Sequence, residues 1–244
     1  MRARWGARPD ETAWHRIEIT RELAPLLEMA RTGALARWVR GLAADDPLHA
    51  VEHALRRRWR EAVEEVARWV GGEWQPAVRW CAHLADLPAV QQWARGEPMA
   101  AWTADDEMLA PCQGVGDDDP VDAAGFAPGW RALVEATRSQ PANIAERWLQ
   151  AWRRQLPPGP ARLVIEREFV RLLAAHTEAF ASPSTVDGWS ERRVLAARLV
   201  GLLRRHPAEP IEAFVYLALM GLELERLRAE IVARAAFPKR TLHA

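Results

Sequence analysis

Apolar residues recur at helical spacing along almost the whole chain, and the β-branched residues are too few and too scattered to alternate as a strand requires. That pattern admits helices packed on helices and leaves no place for a sheet. An all-α fold is therefore expected, a helical bundle or funnel built from two, or a reduced three, similar lobes. The chain has 244 residues, 49% of them hydrophobic, enough to bury a core as one domain or as two lobes in contact. Its most apolar run, Ala213 to Leu222, is closed off by Glu212 and Glu223. A membrane span needs roughly 18 uncharged apolar residues, about twice that length, so the run reads as a buried core helix and no direct membrane span is expected.

Punctuation divides the pattern. A first helix is expected from Asp10, with Pro9 before it, to about Arg31, and a short one over Leu35 to Leu42. Asp45-Asp46-Pro47 marks the start of a long helix reaching about Val70, since acids and proline suit a first turn. Gly71-Gly72 ends it, and another runs from Trp74-Gln75-Pro76 to Arg95-Gly96, kinked at Pro88. From residue 97 to 125 the periodicity fails in a Gly/Pro-rich stretch holding Asp105, Asp106 and Asp117-Asp118-Asp119, which reads as a linker or a long surface loop. Five helices follow, at about 127–138, 141–156, 160–181, 189–206 and 208–236. The division expected is thus an N-terminal lobe over 1–96, a linker over 97–125 and a C-terminal lobe over 126–244.

Lys+Arg and Asp+Glu both number 33, so no field of one sign draws the chain to nucleic acid, which is not expected as a partner. The thirteen tryptophans include Trp59, Trp69, Trp80, Trp93, Trp148 and Trp152 beside arginines, where bases could stack. Their spacing with Leu and Val favours core or protein-interface use instead. Cys81 and Cys112 form no CxxC pair, so neither a disulfide framework nor a zinc ribbon is suggested and a reducing cytoplasm fits. Gly114-Val115-Gly116 runs straight into three aspartates and no Gly-Lys-Ser/Thr string exists, which excludes a P-loop.

The sharpest chemical string is His49-Ala50-Val51-Glu52-His53, an inverted zinc-protease pattern in which two histidines four apart on a helix could share a metal and Glu52 act as a base. It lacks an identifiable third ligand. The plain alternative is that Glu52 supports the helix ahead of Arg56. The expectation is no catalytic residue, no metal and no cofactor, with His49 and His53 the candidates should a metal bind.

Two segments echo each other. Gln75 to Gln92 and Glu209 to Arg228 each open on a proline, pass through an aromatic and apolar stretch, and reach an acid, Asp86 or Glu223, among aliphatics. An acid so placed stays ionised only if paired, so each is expected to face arginines. Glu223-Leu224-Glu225-Arg226-Leu227-Arg228-Ala229-Glu230-Ile231-Val232, Asp86 to Gln91 with Arg95-Gly96, the opening Arg2-Ala3-Arg4 and the stretch Leu26 to Leu42 resemble the d/C subunit family of rotary V- and A-type ATPases, the helical funnel between membrane proteolipid ring and central stalk. Arg226 and Ala89 stand where that family usually has asparagine, and the chain is shorter than its three-lobe length. The resemblance implies a non-catalytic coupling subunit of an ion-transporting ATPase, with Asp86, Glu223 and Arg228 as structural motif residues. It also implies other subunits as partners and a cytoplasmic location, peripheral at the inner membrane through those subunits. A free-standing helical adaptor is the alternative from the same residues, and a zinc hydrolase at His49, Glu52 and His53 the alternative from another class.

Overall fold

The structure, a computed structural model, describes residues 1–112, 128–140, 143–181 and 187–237. It is all-helical, with no strand among the described residues. Residues 113–125 of the acidic stretch, including Gly114-Val115-Gly116 and the three consecutive aspartates, lie outside the described residues.

The chain forms two compact units, one of Met1–Val51 with Pro157–Ala244 and one of Glu52–Leu156. These are not the divisions at 96/97 and 125/126 expected from the sequence. Both ends of the chain belong to one unit, and the described part of the 97–125 stretch belongs to the other.

The first unit holds α1 (Arg2–Gly6), α2 (Glu11–Ile19), α3 (Leu23–Arg31), α4 (Ala36–Val39) and the first turn of α5 (Leu48–Ala67). Asp10 caps α2, its Oδ1 accepting from the Ala13 amide at 2.7 Å. The single helix expected from Asp10 to Arg31 is broken. Pro25 cannot donate to the Arg21 carbonyl and its ring would collide with it, so a straight continuous helix is strongly disfavoured there. Thr20 takes extended backbone and its hydroxyl donates to the Arg16 carbonyl. The last carbonyls of α2 are satisfied from far along the chain: Arg234 donates to Ile17, Glu18 and Thr20 at 2.7–3.1 Å.

The returning half of this unit contributes α10 (Pro160–Val164), a π-helical turn over Ile165–Val170, α11 (Arg171–Ala181), α12 (Gly188–Arg205) and α13 (Ile211–Ala236). Asp187 caps α12 through the Trp189 and Ser190 amides. The apolar run of α13 is buried on nearly all sides, Ala213 to Leu217 together with Leu219 and Met220. It packs mainly on α12 and also on α3, so its all-round hydrophobicity belongs to a central helix. No helix among the described residues is long and apolar enough to cross a membrane.

The second unit holds the rest of α5, α6 (Gln75–Trp80), α7 (Leu87–Ala94), α8 (Pro128–Ser139) and α9 (Ile144–Gln155), with 3-10 turns at Gly72–Trp74, Cys81–Ala85, Ala101–Asp105 and Ala110–Cys112. The expected kink at Pro88 is a full break at Asp86, because proline in the second position of α7 cannot bond back across it. At the other end Gly96, with φ +74°, closes α7: its amide and that of Glu97 bond back to the Trp93 and Gln92 carbonyls. Tryptophans fill this core. Trp59 donates to the Cys81 carbonyl at 2.9 Å and Trp80 to the Trp148 carbonyl at 3.2 Å, while Trp130 and Trp152 are fully enclosed. Gly129 lets α8 approach the Trp80 indole, where a Cβ would come within 3.2 Å. Trp69, by contrast, is exposed.

Candidate functional site

Among the described residues, each unit holds a buried acid tied to arginine. In the first, Glu223 lies in the middle of α13 and is 5% exposed. Arg8 donates through Nε to its Oε2 at 2.7 Å, and Trp38 donates through Nε1 to its Oε1 at 2.8 Å. Both carboxylate oxygens are thus satisfied by strong, charge-assisted or indole donors. Burial pulls the Arg8 guanidinium down from its ordinary value while Glu223 pulls it back up. The Arg8 guanidinium lies over the Trp5 ring, its Cζ 3.3 Å from the centroid. A turn further along α13, Arg226 stacks on Trp14 at 4.4 Å and bridges Glu18 and Glu11 at 2.6 and 3.5 Å. Arg228 is half-buried on the same helix.

In the second unit Asp86 and Asp106 are both wholly buried and share one guanidinium. Arg60 Nη2 lies 2.7 Å from Asp86 Oδ1 and 2.9 Å from Asp106 Oδ1, and Arg56 Nη1 is 3.5 Å from Asp86 Oδ1. Asp106 also accepts from the Met108 amide, and His53 Nε2 stands 3.9 Å from its Oδ2. The second oxygen of Asp86 has no hydrogen-bond partner among the described residues. Burial pushes the Asp86 carboxyl up to about 6 against the pull of Arg60. At Arg60 the balance is opposite: burial is outweighed by the two aspartates and the guanidinium is raised. The difference follows from enclosure, Asp86 being fully covered while Arg60 keeps 16% of its side chain in solvent. Nearby, His83 stacks flat on Trp130 at 4.2 Å, and burial, then Arg60, lowers its imidazole to about 4.

Both motif acids are thus held by arginines, as an acid among aliphatics requires. Their settings differ, however. Asp86 sits at the break between a 3-10 turn and α7, whereas Glu223 is interior to an unbroken 26-residue helix. The echo between the two segments is not a structural repeat, and Arg8, Trp38, Arg60 and Asp106, which complete the clusters, carry no local mark in the sequence.

Of the histidine string, His49 is exposed in the first turn of α5 and His53 turns toward Asp106. Among the described residues no group of three or more His, Cys, Asp or Glu side chains is arranged to hold a metal ion. Cys81 and Cys112 are buried, and burial raises both thiols to about 12, so neither is a ready nucleophile.

The fold and these clusters define an all-helical protein whose two buried motif acids are each paired with arginine. In comparison with known proteins, no family model matches the chain, and no curated protein or solved structure matches it.

Proposed function

We propose that the chain is a non-catalytic coupling or assembly subunit of the kind the d/C family supplies to rotary V- and A-type ATPases, joining the central stalk to the proteolipid ring. The observation that supports this reading most is the position of Glu223. The acid of the C-terminal segment that resembles the family's signature is a buried tie, held from two sides by Arg8 and Trp38. A subunit that transmits force needs its helices fixed by such ties and needs no bond-making group. The two buried thiols and the internally paired aspartates agree with that need. The reading rests on the C-terminal segment and not on an internal repeat. Any attachment to a membrane would then run through partner subunits.

The test is recovery of partners. The full chain, tagged and expressed in its own cells, is purified from mildly solubilised membranes after brief crosslinking. Co-recovery of proteolipid-ring and stalk subunits is expected. Recovery of the chain at native abundance with neither of them overturns the reading.

A further inference from the structure

Within the first unit, α2, α12 and α13 border an open groove of about 300 Å³. Its floor is apolar and shallow. Trp189, Ala196, Ala197 and Val200 follow one another at helical spacing along α12, and Leu222 adds the α13 side. Their span is about three turns, roughly 16 Å at 1.5 Å per residue. The stripe that packs α12 inward is a different one, Leu195, Leu199, Leu202 and Leu203. The groove face is therefore an additional apolar surface, and Trp189 on it is 36% exposed. Alanines at its centre allow another backbone to come close, since interaxial distance is set by the side chains at the crossing.

The polar edge is dominated by donors. Arg226 is spent on Glu11, Glu18 and the Trp14 face, and Glu223 is spent on Arg8 and Trp38. Arg8 is not. Only its Nε is used by Glu223, and its Nη1 and Nη2 groups make no hydrogen bond among the described residues. Held over the Trp5 ring and aligned by Glu223, this fork is preorganised for a carboxylate. Arg193 also lines the groove, with 61% of its side chain exposed; its Nη2 reaches Ser190 at 3.0 Å and Asp187 at 3.6 Å, leaving its other donors to solvent. The groove thus offers an apolar floor about three turns long beside two cationic side chains, of which Arg8 is held in place by Glu223 and Trp5.

We propose that this groove docks an acidic amphipathic helix of a partner protein, its small apolar stripe on Ala196, Ala197 and Val200 and its carboxylates on Arg8 and Arg193. The inference goes beyond the coupling reading, because it names the chemistry of a partner without requiring that the partner be an ATPase subunit. A second copy of this chain is a less suitable occupant, since its own groove-facing stripe carries arginines that would oppose those already there.

The probe is a fluorescein-labelled three-turn helical peptide with an Ala/Leu stripe flanked by glutamates, set against the same peptide with lysines in their place. Fluorescence anisotropy with the full chain is expected to show saturable binding of the glutamate peptide, at least ten-fold tighter than the lysine peptide and weakened by salt. Arg193→Glu, at an exposed position that should not disturb folding, is expected to weaken binding at least ten-fold, and Ala197→Glu to abolish it. Unchanged circular dichroism and melting temperature check that both variants are folded. Equal binding of the two peptides, no saturable binding of the glutamate peptide, or binding indifferent to both variants overturns the proposal. So does concentration-dependent dimerisation that Ala197→Glu abolishes, which assigns the groove to a second copy.

Discussion

Arg8 and Glu223 meet at 2.7 Å although 215 residues separate them in the chain, and the indole of Trp38 closes the same carboxylate from its other side. A short N-terminal segment, α4 and the centre of α13 are thereby tied at one buried point.

Glu223→Ala should destabilise the protein by about 3 kcal/mol or more, the range for removing one partner of a buried ion pair, because it strands the Arg8 guanidinium. Trp38→Phe keeps an aromatic ring but removes the N–H together with part of a fully buried indole, so it should cost at least about 1.5–3 kcal/mol, the range for a hydrogen bond to a charged group, with a cavity term added. The two changes should be less than additive in urea denaturation, since both act on one carboxylate. A loss under about 0.5 kcal/mol for Glu223→Ala would mean a solvated acid.

Arg234 is a second long-range tie. Its side chain is 11% exposed, and it donates to three carbonyls at the end of α2 while holding Glu230 at 2.7 Å. Arg234→Ala should cost about 2–4 kcal/mol through several lost charge-assisted bonds. Arg234→Lys should recover less than half of that, because an ammonium cannot reach spread-out acceptors as a planar fork does. Hydrogen exchange should locate the damage in α2, with protection falling first at its last turn.

Both cysteines should be silent in the folded state. With their thiols raised to about 12 by burial, Ellman's reagent at pH 8 is expected to find almost no reactive thiol in the native chain and two after denaturation. Prompt native reaction of one thiol would show a local opening at Cys81 or Cys112, and cysteine variants would assign it.

Much of the helical layout was legible because it is written locally. Proline, glycine and acid caps place the later helices within a few residues of where they lie, as with the expected 189–206 and the observed Gly188–Arg205. The break before Pro25 was legible in principle, since proline forbids the bond to residue 21, yet the uninterrupted periodicity of Ile17, Leu23, Leu26 and Leu27 masks it. That Asp86 and Glu223 face arginines follows from the cost of an unpaired charge among aliphatics. Which arginines they face does not follow, because Arg8 and Arg60 look like the rest of an arginine-rich surface until the fold brings them inward. The apparent repeat failed for a related reason: similar residue strings serve a helix break at Asp86 and a helix interior at Glu223.

Asp86 and His83 should leave opposite marks on stability against pH. Burial raises the Asp86 carboxyl from 3.8 to about 6, so between those values the folded chain binds more protons than the unfolded one, and this group lowers stability as pH rises. Burial and Arg60 lower the His83 imidazole from 6.5 to about 4, so in that window the unfolded chain binds more protons, and this group raises stability as pH rises. The two slopes overlap and largely cancel in the wild type. Relative to wild type, Asp86→Asn should therefore gain stability as pH goes from about 4 to about 6, by up to about 3 kcal/mol at the 1.36 kcal/mol that each pKa unit represents. His83→Gln should lose stability relative to wild type across about the same interval. Taking differences removes other groups common to all three proteins, such as Glu168, whose carboxyl His206 and Arg205 hold below its ordinary value. Urea denaturation from pH 4 to 7.5, followed by circular dichroism, reads both difference curves directly. Curves of the same sign for the two variants would show that one of the two groups is shifted in the opposite direction, and a flat curve for either variant would show that its group titrates alike in the folded and unfolded chain.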